Sequence, residues 1–192
     1  MDTGINTITE LKSILKVSEA HALTCTLERG LSTHLFNRRI AKGYLSISVS
    51  EKKVKEAIRV FNIFLRRMFK EGFFLTLECD KYHRPASALI VNGETIPIRV
   101  KEKYTFSEYR DRFGDRRREA TLSGVLMLEI YGGEWWHSTK SLCATNNSSW
   151  EDLFNGIIPY LLKASNSIKE LRLRYEEQAR KRKEWDGDET SS

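Results

Sequence analysis

Proline is nearly missing from this chain, with three among 192 residues, and none of its segments reads as a Pro-rich linker. Long regular elements are therefore expected. Cysteine is as sparse. Cys25, Cys79 and Cys143 are odd in number and widely spaced, which argues against a disulfide framework and for reduced thiols in a reducing compartment. No stretch approaches the roughly 18 uninterrupted apolar residues of a membrane span. The opening MDTGINTITELKS has neither the basic nor the apolar region of a signal peptide. The expected location is the cytoplasm, with no membrane partner.

Chemical signatures are missing too. There is no P-loop and no dinucleotide fingerprint. His21 with Cys25 and Cys79 with His83 have four-residue spacing, but neither pair has further ligands close by, so no zinc site is expected. Glu78 and Asp80 share one face of a prospective strand. That meets part of what a metal-dependent nuclease needs, without the spacing of any nuclease signature. No cofactor, metal ligand or catalytic residue is assigned, and a binding protein is expected rather than an enzyme.

What is present is apolar mass and positive charge. The chain is 40% hydrophobic, with 9 Phe, 7 Tyr and 4 Trp, enough for a real core. Its net charge is +6 and its pI about 9.2, which raises the local concentration of polyanions and makes nucleic acid the natural partner class.

The pattern along the chain predicts an α+β fold. A small, mainly antiparallel sheet of about four strands packs against two amphipathic helices, with a helical segment before them. Residues 1–48 form that N-terminal segment, 49–178 the core domain and 179–192 a charged tail expected to be disordered. Between Thr9 and Arg29, Leu11, Ile14, Leu15 and Leu23 predict one or two helices. The stretch LTCTLERGLSTHLFNRRIAKG has a helix–turn–helix outline, with Gly30 in the turn and Arg38 and Arg39 on the second helix.

Ser50 then reads as an N-cap. Val54, Ala57, Ile58, Phe61, Phe64, Leu65 and Met68 recur at three- and four-residue steps up to a stop at Gly72. Phe73–Asp80 alternates as a strand. ASALIV, Asn92-Gly93 and ETIPIRV form the strongest hairpin signal, because both turn residues tolerate positive φ. Pro97 cannot donate to a ladder, which predicts an edge strand or an outward position.

Residues 101–120 read as a charged loop tacked onto the body by Tyr104, Phe106, Tyr109 and Phe113. A strand follows over TLSGVLMLEIYG, then polar loops. Ser149 and Asp152 form a capping box at the head of a long helix that Pro159 is expected to bend.

The strings NGETIPIRVKEKY, LEIYG and W-x-S-x-K before a long helix resemble a group of uncharacterised proteins common in bacteria and on mobile elements. In that group a helix precedes a similar hairpin, and an Arg-rich loop and charged helix follow. The resemblance implies a prokaryotic or phage-like protein and strengthens the nucleic-acid expectation. It carries no accepted activity.

The candidate interface is basic. Arg110, Arg112, Arg116, Arg117 and Arg118 form the densest cluster, extended by Lys101 and Lys103 and, at a distance, by Arg38 and Arg39. Guanidinium forks bind phosphate oxygens, and the interleaved Tyr109 and Phe113 can stack on bases. The competing expectation is that Glu108, Asp111, Asp115 and Glu119 neutralise these arginines. Trp135 and Trp136 are adjacent, so one of them can be left to contact a partner. The favoured function is phosphate-backbone binding to nucleic acid, DNA ahead of RNA. A protein-interaction or scaffold component of an oligomeric complex is the alternative, and a metal-dependent nuclease comes third.

Overall fold

The computed structural model describes residues 5–29, 43–77, 87–131, 139–144 and 148–189, with side chains described to 23 in the first segment and to 183 in the last. The protein is an α+β domain in which helices pack on a largely antiparallel sheet. Helix α1 (Ile8–Arg29) is continuous. Thr7 accepts the Glu10 N–H and its hydroxyl meets the Glu10 carboxylate, a cap that escaped the sequence reading. Leu11, Leu15 and Ala22 of α1 are buried in the same core as the elements that follow. The proposed second helix with Arg38 and Arg39 lies outside the described residues.

After strand β1 (Ile47–Ser48), a short 3-10 turn at Glu51–Lys53 leads into α2 (Val54–Lys70). The predicted face is the buried one: Val54, Ala57, Phe61, Phe64, Leu65 and Met68 are inside, joined by Val60, while Ile58 is half-buried. Gly72 sits at φ 78 as the expected stop. Ser50 does precede the helical segment, but its side chain makes no cap bond.

The sheet runs β2 (Phe74–Thr76), β3 (Ser87–Val91), β4 (Glu94–Arg110), β5 (Arg116–Tyr131) and β6 (Thr139–Leu142) in spatial order, with β1 parallel to β4. Asn92 at φ 52 and Gly93 at φ 80 make the turn between β3 and β4. Strands β1 and β6 join the four that the sequence foreshadows. β1 is two residues long and β6 is mostly exposed, so neither carries a readable alternation.

β4 is an inner strand and not an edge. Val100 donates to Ser46 on the β1 side, and peptide groups alternate along a strand, so the nitrogen of Pro97 points toward β5. The β4–β5 register ends at Ile98↔Ile130 although β5 runs on to Tyr131, as expected where the next β4 nitrogen carries no hydrogen to donate.

Ile96, Ile98, Val100, Leu126, Leu128 and Ile130 face the helices. On the opposite, more open face, Glu129 accepts from Arg99 Nε (2.6 Å), Lys101 Nζ (2.6 Å) and Tyr131 OH (2.7 Å). Burial pushes the Glu129 carboxyl up, but bonds from Lys101, Tyr131 and Arg99 outweigh it and hold it below the usual range. Burial first, and then donation to Glu129, push the Tyr131 hydroxyl well up.

The capping box appears as read, with Ser149 Oγ accepting the Asp152 N–H. It heads α3 (Trp150–Gly156), and a separate helix α4 (Ile158–Glu189) follows. Pro159 lies in the first turn of α4, where its missing N–H has no helical partner to lose. It therefore marks a junction and not a bend within one helix. Arg172 reaches the buried Glu94 at 2.8 Å. Beyond it every described side chain of α4 is exposed, yet the helix runs on to Glu189. Most of its residues from Leu173 to Glu184 are good helix formers, supported by i,i+4 pairs such as Lys181 with Glu177.

Candidate nucleic-acid interface: a two-stranded arm

Residues 101–120 do not form a loop on the body. β4 and β5 continue past the other strands as a two-stranded ribbon, paired from Tyr104↔Leu122 to Arg110↔Arg116. β1 leaves β4 at Lys101, and β6 flanks β5 only from Leu128 onward. At 3.4 Å per residue the eight residues of β4 from 103 to 110 reach roughly 25 Å. Phe106 (66% exposed), Tyr109 (51%) and Phe113 (75%) do not tack the segment down. Tyr104 and Leu122, at the base, are half-buried, as is Asp111 at the tip.

The base is built on one carboxylate. Between Glu102↔Leu126 and Tyr104↔Leu122 the register shifts, so that Lys103 alone faces Ser123–Val125. Gly124, at φ 76, supplies the backbone this bulge requires. Glu102 is 2% exposed. Its two oxygens accept the N–H groups of Gly124 and Ser50, each at 2.8 Å. The arm's root is thereby tied to the start of the α2 segment, whose N-terminal dipole favours a carboxylate.

The tip is a three-residue loop. Asp111 N–H donates to Asp115 C=O and Gly114 N–H to Asp111 C=O, both at 2.9 Å, with Gly114 at φ 84. Asp111 Oδ1 accepts the N–H groups of Phe113 (2.9 Å) and Asp115 (3.0 Å), and its Oδ2 accepts from Arg117 Nε (3.0 Å). The Arg117 bond, reinforced by those two backbone donors, holds the Asp111 carboxyl below its ordinary value. Asp at the first turn position and Gly at the fourth are a hairpin signal that the density of charge hid.

Register decides which cations are neutralised, because opposed residues share a face of the ribbon. Arg118 lies opposite Glu108 and bonds it at 2.9 Å. Arg117 is held by Asp111, with Asp115 at 3.8 Å. Lys101 is held by Glu129. The neutralisation expected from Glu108, Asp111 and Asp115 is thus met at Arg118 and Arg117.

Arg110 and Arg116 instead stand directly opposite one another. Arg110 makes one bond to the Gly114 carbonyl at 3.1 Å. The Arg112 guanidinium lies 4.8 Å from the centre of the Phe113 ring. Among the described residues, none of Arg110, Arg112, Arg116 and Lys103 has a carboxylate partner.

Trp135, Trp136, Arg38 and Arg39 lie outside the described residues, as do Glu78 and Asp80 of the nuclease reading. No group of three potential metal ligands occurs among the described residues. None of their helices is long and apolar enough to cross a membrane. No protein family, characterised protein or solved structure matches this chain.

Proposed function

We propose that the arm is a nucleic-acid-binding element that engages backbone phosphates through Arg110, Arg112 and Arg116. The observation carrying this reading is the sorting of charge along the ribbon. Carboxylates hold Lys101, Arg118 and, at the tip itself, Arg117, while the arm's three guanidiniums left without one among the described residues, Arg110, Arg112 and Arg116, lie together near the exposed Phe113 ring. Two like charges directly opposed on a ribbon destabilise it, and a phosphate oxygen between Arg110 and Arg116 relieves that repulsion with charge-assisted bonds. A two-stranded ribbon also has the width to enter the major groove of B-form DNA, which puts DNA ahead of RNA as the partner. The reading places the protein in the cytoplasm with its nucleic acid, acting without a catalytic step.

The test is a polarisation titration of labelled duplex DNA across salt. Affinity should fall steeply as salt rises. Replacing Arg110 and Arg116 together by Ala should weaken binding about tenfold and flatten the salt slope by about two. Replacing Arg117 and Arg118, whose charges are already paired, should cost far less. Equal losses for the two double variants, or no affinity at low salt, would remove the assignment.

A second reading rests on the apolar strip Tyr104, Phe106, Ala120 and Leu122 on one ribbon face. A protein partner or second copy docking there, as in a scaffold, would bind with little dependence on salt and would be lost on Phe106→Asp.

A further inference from the structure

The aromatic rings of the arm do not line up. Tyr104 and Phe106 share one face of the ribbon with Arg110, Arg116 and Arg118, while Tyr109 lies on the other face opposite Arg117. Phe113 stands apart at the tip as the most exposed large hydrophobic residue of the described chain. Successive bases of one strand therefore have no tier of rings to step along, which a single-strand stacking platform requires.

What the tip offers is one ring on a braced support. The Phe113 backbone N–H is bound by Asp111, which is itself held by Arg117. Arg112 covers part of the ring, and Arg110 and Arg116 flank the loop at its root. An exposed apolar side chain at the end of a projecting arm, beside three guanidiniums that have no carboxylate partner among the described residues, matches the demands of a wedge. The ring replaces the stacking lost when a base step opens, and the cations hold the phosphates that flank the opened step.

We infer that Phe113 inserts into a base step of double-stranded DNA and kinks it, with Arg110, Arg112 and Arg116 taking the adjacent phosphates. This inference rests on the nucleic-acid reading of the arm and narrows its ligand to a deformable duplex. Pyrimidine–purine steps, which unstack most easily, are the favoured sites.

The full chain, Phe113→Ala and Phe113→Leu can be compared on three probes: a DNA duplex carrying donor and acceptor fluorophores at its ends, the same duplex nicked at its centre, and one of its single strands. The wild type should bring the duplex ends closer and should prefer the nicked duplex by about tenfold, since the kink there costs less. Phe113→Ala should still bind the intact duplex at low salt but leave it straight and lose the preference. Phe113→Leu, which keeps an apolar wedge, should restore much of the bend.

Bound duplex that stays straight with the wild type, equal bending by Phe113→Ala, or tighter binding to the single strand would each overturn the wedge while leaving phosphate binding intact. No complex with any of the three probes would remove the underlying reading together with the inference.

Discussion

The inner and outer halves of the β4–β5 hairpin use the same two strands and meet opposite conditions. From Glu94 to Glu102, alternate β4 residues are sealed under the helices. Their charged neighbours are paired with care: Arg99 and Lys101 share Glu129, and Glu94 holds Arg172. From Lys103 to Leu122 the strands have no third partner, and almost every side chain is exposed. Cross-strand pairs such as Thr105 with Thr121 (2.9 Å) and Glu108 with Arg118 hold the ribbon together. In the inner half an unpaired charge would be costly to bury, whereas in the outer half water screens it. Arg110, Arg112 and Arg116 can therefore stay uncancelled only on the arm, and free cations are what a polyanion site needs.

Truncations should break this contrast most sharply. Ile98→Ala empties fully packed space and should cost about 3 kcal/mol of unfolding free energy. Phe106→Ala, on the same two-strand ladder, should stay within about 0.5 kcal/mol. Urea unfolding followed by circular dichroism measures both, and similar values would mean that the arm is packed after all.

The junction should respond next. Glu102→Ala leaves the N–H groups of Ser50 and Gly124 without their acceptor, at a cost of about 2 kcal/mol. Amide exchange at Gly124 and Ser50 should speed up well before that of the Leu128 and Ile130 amides. Uniform acceleration would show that Glu102 stabilises the whole domain and not the arm's root.

The smallest effect comes with acid. The Glu129 and Asp111 carboxyls both lie below their ordinary values of 4.5 and 3.8. Each therefore stabilises its surroundings fully above that ordinary value and loses the contribution as pH falls through its depressed one. Loss at Glu129 should lower the global unfolding midpoint. Loss at Asp111 should loosen only residues 112–115, seen as shifts in their amide resonances. If titrating Asp111 moved the global midpoint, the arm would not be the independent element described above.

Much of the body of the domain is legible in the sequence. Asn92-Gly93 announced its hairpin, the three- and four-residue steps from Val54 to Met68 announced α2, and Ser149 with Asp152 announced α3. These signals work because they encode local geometry or one buried face. The arm looks like a loop in the sequence because both its faces are wet, so no hydrophobic alternation marks the strands. Its only local mark, Asp111 with Gly114, lay within a dense run of charge. Pro159 lies in the first turn of a new helix, where its bending effect inside a helix vanishes.

By itself the sequence determined the helical faces, the first hairpin, the composition of the core and the presence of five arginines among four acids between residues 108 and 119. Which of those arginines are free was decided only by the tertiary structure. Glu108 and Arg118 are ten residues apart, as Arg110 and Arg116 are six, and nothing in a linear reading ranks such pairs. The three-residue turn sets the register, the register puts Arg118 across from a carboxylate and Arg110 across from another cation, and the electrostatics of the arm follow from that pairing.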